Sequence, residues 1–205
     1  MIGVTIAVGI FDLFGYTIPG SLYLALLSYA AIRLDWLAPS TITQTPALVA
    51  AIIVLLLSYL LGYLTYPLGR LANRVVPSRL DRRPREEFVR RNPAARDRDF
   101  VQADPFLLLS GVQLHDKDVA TEVIRLRAAG LMLRNAAPPL GLGFLAAVLE
   151  IVLGGRPVLA ATCATLLALG FFSLVIQGRR FGYWASLKTL ELSFWLPDVD
   201  DKFHA

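Results

Sequence analysis

The stretch "PALVAAIIVLLLSYLLGYLTYPL", residues 46–68, holds no charged residue and is apolar on every side of a helix. A run of this kind, near the ~20 residues that cross ~30 Å of hydrocarbon, reads as a membrane span rather than as one face of a soluble helix. Working outward, three more runs have similar character: 18–32, 136–153 and 157–176. The hydrophobic share of 56% and the positive mean hydropathy come from these blocks rather than from a scattered apolar pattern. The expected fold is an all-α integral membrane protein with four transmembrane helices and a helical, Arg-rich cytoplasmic segment between spans 2 and 3. The regions expected are 1–69, an N-terminal interfacial helix and first hairpin; 70–134, the cytoplasmic segment; 135–178, the second hairpin; and 179–205, an amphipathic cytoplasmic tail. Only Gly154, Gly155 and Arg156 separate the third and fourth spans, which requires a tight antiparallel hairpin.

Charge sets the orientation. Of the 20 Lys and Arg, all but Arg33 and Arg156 lie in 70–134 or in the tail, so the positive-inside rule places both of these regions and both termini on the cytoplasmic side. No basic residue precedes Arg33, which does not match a secretory signal, and the N-terminus is expected to be retained. Cys163 is the single cysteine, excludes an intramolecular disulfide, and reads as a small packing residue.

The middle segment divides by composition. Residues 80–99 are dense in arginine and interrupted by Pro84 and Pro93, as in a solvated loop with a short helix. Residues 116–134, "DKDVATEVIRLRAAGLMLR", have acids first and arginines later, which suits a helix capped by Asp116 and continuing into the third span as far as Pro138 and Pro139. The tail carries Phe181, Tyr183, Trp184, Leu187, Leu190 and Trp195 among few charges. It has two placements: along the cytoplasmic headgroups, anchored by Trp184 and Trp195, or packed onto the middle segment or a neighbouring subunit.

The inventory of reactive groups does not favour enzyme chemistry. There are two histidines, His115 and His204, and no nucleophile elbow, phosphate loop, zinc-protease helix or dinucleotide fingerprint. No catalytic residue, cofactor or metal site is expected; "HDKD", residues 115–118, reads as a helix N-terminus rather than a metal or phosphoester site. Glu150 is an ionisable group near the outer end of the third span, where it either snorkels or pairs with Arg156, or in an oligomer forms a ring that attracts cations. Ser58 with Gly62, and Gly141 with Gly143, permit close helix packing, within one chain or between chains. Tyr59, Tyr63 and Tyr66 read as packing and interfacial anchors.

The arginine cluster includes Arg79, Arg82, Arg83, Arg85, Arg90, Arg91, Arg96 and Arg98. Two uses are open: attraction to anionic lipid, or bidentate binding of an anionic ligand such as a nucleotide-type signal or a phosphorylated partner. The interspersed Asp81, Glu86, Glu87, Asp97 and Asp99 cancel much of the field, so nucleic acid is not an expected partner.

A second decisive stretch is "FDLFGYTIPG", residues 11–20. As one straight helix, residues 1–32 would extend ~48 Å, longer than the hydrocarbon, so a break is expected. Pro19 suits the first turn of a span starting near Ile18, with 2–14 as a separate interfacial helix. Asp12 then lies at headgroup level, free to pair with Arg70 or Arg134; a tilted continuous helix would instead turn it toward an aqueous vestibule. Asp12, Pro19 and Glu150 are the pore or gating candidates. On Asp12, Gly15, Tyr16, Pro19, Gly20 and the two-plus-two layout of spans, the chain resembles small bacterial four-span membrane proteins, some linked with antiviral defence as pore-forming effectors triggered by nucleotide signals. The resemblance implies a homo-oligomeric channel gated through its cytoplasmic segment. A non-conducting scaffold that recruits a cytoplasmic partner is the alternative.

Overall fold

The computed structural model describes residues 2–38, 46–76, 83–196 and 199. Every regular element is helical, with no strand among the described residues: α1 Ile2–Arg33, α2 Ala47–Leu64, α3 Leu68–Val75, α4 Pro84–Arg91, α5 Pro105–His115, α6 Lys117–Leu153 and α7 Pro157–Phe194. Three of these, α2, α6 and α7, are long and apolar enough to cross a membrane. The chain divides into two compact units, Met1–Pro77 with Leu131–Gly178, and Ser78–Gly130 with Arg179–Ala205. Helices α6 and α7 contribute residues to both.

In the first unit, α1 and α2 pack closely. A Cβ on Gly20 would collide with the carbonyl of Ser58, and one on Gly62 with the carbonyl of Tyr16, so the two backbones are in direct contact. Ser58 and Gly62 are the only residues that α2 buries; its leucines and isoleucines face outward, as a lipid-exposed helix requires. Tyr16 fills the space next to the contact, its ring centroid 6.0 Å from Tyr59 and 5.8 Å from Tyr63.

The expected break before Ile18 is absent. α1 is continuous from Ile2 to Arg33 with Pro19 inside it. Pro19 removes one backbone donor and crowds the carbonyl four residues earlier, at Gly15, where an added Cβ would meet nothing. Pro19 is fully buried and Gly20 next to it touches α2, so tertiary packing holds a helix that local propensity would interrupt. The helix ends at Asp35, whose φ of 59° lets Trp36 N–H donate to the Ala31 carbonyl at 2.9 Å. The second span is also shorter than expected. It stops at Leu64, where Pro67 opens the separate helix α3.

α6 and α7 form the expected hairpin across Gly154, Gly155 and Arg156. Its register is antiparallel: a Cβ on Gly141 would meet the Phe171 ring at 3.2 Å, and one on Gly170 would press on Leu140 at 2.6 Å. α6 passes through Pro138 and Pro139 without interruption. Ala72 and Val76 from the α3 region pack with Ala137 and Val175 beneath this hairpin.

The second unit has its own core. Phe88 of α4 meets Phe100 and Phe194 edge-on at 6.0 and 6.2 Å, and Val101, Leu108, Leu187 and Leu190 close around them. A second cluster joins Leu109, Val112, Ala120, Val123 and Ala185. The helices begin at clear caps. Asp104 accepts from Phe106 N at 2.7 Å and Leu107 N at 3.3 Å, and Asp116 accepts from Asp118 N at 2.9 Å and Val119 N at 3.1 Å. Of the two placements open for the tail, the described part packs onto the middle segment. Trp184 and Trp195 stay exposed on its outer side.

Candidate functional site

Two places in the first unit gather polar side chains. At the turn end of the α6–α7 hairpin, Glu150 Oε1 accepts from Arg33 Nε at 2.6 Å and from the Tyr29 hydroxyl at 2.8 Å. The expected partner was Arg156 across the turn. Arg33 takes its place because α1 brings two donors, a helical turn apart, to the same carboxylate. The trio stands at one end of a half-enclosed cavity of about 720 Å³, bounded by α1, α6 and α7. Arg156 lines the same end, while Leu22, Leu26, Leu140 and Leu167 line the remainder. Cys163 also lines it and is exposed, so it is not the packing residue the sequence suggested. Of the two glycines expected to notch the third span, Gly141 seats Phe171 and Gly143 opens onto the cavity.

The second place lies beyond the end of α2. The Arg134 guanidinium sits 5.2 Å from the centre of the Tyr66 ring, with Arg70 at 6.0 Å. Arg134, helped by Arg70, holds the Tyr66 phenol below the usual tyrosine range, outweighing the opposing effect of burial. Asn135 is fully buried alongside, and Gly69 leaves the space its amide occupies. The Asp12 latch falls on a side chain outside the described residues; among the described residues, Arg70 and Arg134 both approach Tyr66.

In the second unit, the candidate arginines have unequal positions. Arg79 and Arg82 lie outside the described residues. Arg83 is exposed, and its backbone N–H donates to Glu86 Oε2 at 3.2 Å. Arg90 donates to Glu87 through Nε at 3.0 Å and Nη2 at 2.7 Å, and Arg91 Nε reaches the same carboxylate at 2.8 Å. These two cations hold the Glu87 carboxyl at about 2, below the usual range. Arg85 donates to the Ala103 carbonyl at 3.0 Å. A shallow surface pocket joins Arg85, Arg90 and Arg96 with Glu86. The arginines are therefore partly committed to folding their own module, and Arg96 is the member of this pocket with most freedom to meet a ligand. The "HDKD" acids serve the helix start, where Asp116 is the cap.

No protein-family model, curated protein or solved structure matches the chain. Sequence reasoning missed Tyr29 and Arg33 as the partners of Glu150. The signal was present, since the four-residue spacing puts both on one helix face at the end of a span. It also missed Phe88 and Phe100 as core, because both stand inside charge-rich sequence.

Proposed function

We propose that the chain is a four-span protein of a bacterial inner membrane, with α1 as the fourth span and both termini cytoplasmic. On this reading it works as a homo-oligomeric channel or pore-forming effector, gated through the helical module formed by 78–130 and 179–205. The observation that carries the proposal is continuity: α6 and α7 each run without a break through residues of both units. An uninterrupted helix transmits a change in module packing to a span more directly than a flexible linker does. The reading takes several copies, because the cavity bounded by α1, α6 and α7 is walled mostly by apolar side chains. The trigger is a nucleotide-type anion or a cytoplasmic protein, and Arg85, Arg90 and Arg96 supply the pocket for the former.

One observation favours the second reading, a non-conducting scaffold or accessory subunit. Glu150 is neutralised by Arg33 within the chain, so a ring of free carboxylates has to be formed at the expense of that pair. Ion flux from liposomes containing the purified protein, with its mass in detergent measured alongside, separates the two. Oligomeric protein that conducts, and loses cation preference in Glu150→Gln, supports the channel. Monomeric protein that conducts under no condition supports the scaffold. Titration with cyclic oligonucleotides tests the trigger; absence of saturable binding leaves the protein partner.

A further inference from the structure

Beyond Glu150, the cavity bounded by α1, α6 and α7 is not used by the reading proposed above, and its construction points to a ligand. Its volume, about 720 Å³, falls in the ~300–1,000 Å³ range of small-molecule sites. Small residues keep it open rather than draw helices together. A Cβ on Gly143 would meet Leu167 at an ordinary 3.4 Å, whereas at Gly20 and Gly62 it would strike backbone and at Gly141 it would press on Phe171. Gly143 is thus not needed for helix approach, and the absence of its side chain leaves room. Ala146 and Ala160 extend that room along α6 and α7.

The two ends of the cavity differ in chemistry. Leu22, Leu26, Leu140 and Leu167 offer an apolar length with no hydrogen-bonding side chain of their own. At the turn end, Arg33 is matched by Glu150, and Arg156 is exposed and forms no ion pair among the described residues. Among the residues that line this end, two cations face one carboxylate; Asp35, outside the lining, also acts on Arg33, so the cation left to a ligand is Arg156. A soluble anion would meet the charge and leave the leucines uncovered. A neutral lipid would cover the leucines and leave Arg156 unmatched.

We propose that this cavity binds one anionic phospholipid of the bilayer, with an acyl chain among the leucines and the phosphate at Arg156. The inference rests on the first unit being embedded in a membrane, and not on conduction. The guanidinium supplies planar donors to phosphate oxygens, and the apolar contact supplies the retention that a headgroup alone lacks.

The test is native mass spectrometry of the purified full chain in detergent, after exposure to phosphatidylglycerol or to phosphatidylcholine with the same acyl chains. Wild type should retain one phosphatidylglycerol in preference to phosphatidylcholine. Arg156→Gln, on an exposed turn where folding is undisturbed, should lower that preference about fivefold, the effect of about one basic residue near an anionic lipid. Ala160→Leu and Gly143→Leu, which fill the apolar part, should abolish retention of both lipids while helix content by circular dichroism is kept. Retention unchanged in Arg156→Gln and in the filled variants would overturn the site and leave only lipid of the general annulus. Equal retention of the two lipids by wild type would overturn the assignment of an anionic ligand. Flotation with vesicles on a density gradient separates the underlying reading: a chain that floats yet retains nothing sinks this inference alone, and one that stays soluble without detergent sinks both.

Discussion

Glu87 and Glu150 are carboxylates with opposite surroundings, and each has a measurable consequence. Glu87 is buried beside Phe88, and Arg90 and Arg91 hold its carboxyl at about 2. Since the folded-state value lies below the unfolded one, the contribution to stability is fully present above the ordinary glutamate value of ~4.3 and is lost as pH falls from there toward 2. Acid titration followed by near-ultraviolet circular dichroism should show a transition in that window, and Glu87→Gln should flatten it. An identical profile in the variant would assign the transition to other acids. Glu150, by contrast, is partly open to its surroundings and shared between Arg33 and Tyr29. A double-mutant cycle of Arg33→Gln and Glu150→Gln, read by thermal unfolding in detergent, should give a small favourable coupling, as for pairs that keep some exposure. Zero coupling would mean that the pair does not form in solution.

At the scale of elements, the α1–α2 pair depends on two positions that cannot carry a side chain without moving a backbone. Gly62→Leu should force the helices apart and cost about 1–3 kcal/mol, while Gly15→Ala, with nothing near its Cβ, should be nearly neutral. Equal effects of the two changes on unfolding would show that the close approach is not formed. The small-residue spacing of Ser58 and Gly62 was legible in the sequence, but their partner was not. Gly20 reads locally as the loose neighbour of a helix breaker, and only the position of α2 makes it a contact point. The same holds for Pro19. Its preference for a first helical turn is real, and burial against a packed neighbour overrides it. The apolar blocks, the 154–156 turn and the Asp116 cap were readable because each follows from composition or local hydrogen bonding. The aromatic core of the second unit was hidden because Phe88 and Phe100 come from short elements surrounded by arginine, where periodicity has too few residues to register.

At the scale of the whole molecule, topology decides which of the readings survive, and the distribution of charge makes a sharp prediction. Arg33 and Arg156 are the two basic residues that lie outside 70–134 and the tail, and both line the turn end of the cavity. If α1 is a span, the turn after it and the turn at 154–156 share the outer face, while the module lies inside. Cys163→Ser provides a background without thiols, since the chain has a single cysteine. Into it, Asp35→Cys places a thiol on the exposed turn that ends α1, and Gln113→Cys places one on the exposed surface of α5. In intact cells a membrane-impermeant maleimide should label position 35 and spare position 113; after permeabilisation it should label both. Labelling of both before permeabilisation would remove the four-span arrangement. Labelling of 113 alone would invert the orientation, placing the arginines outside and removing a cytoplasmic trigger for any channel. Protection of both positions in intact cells would mean that α2, the one candidate span between them, does not cross, and would remove the four-span arrangement as well.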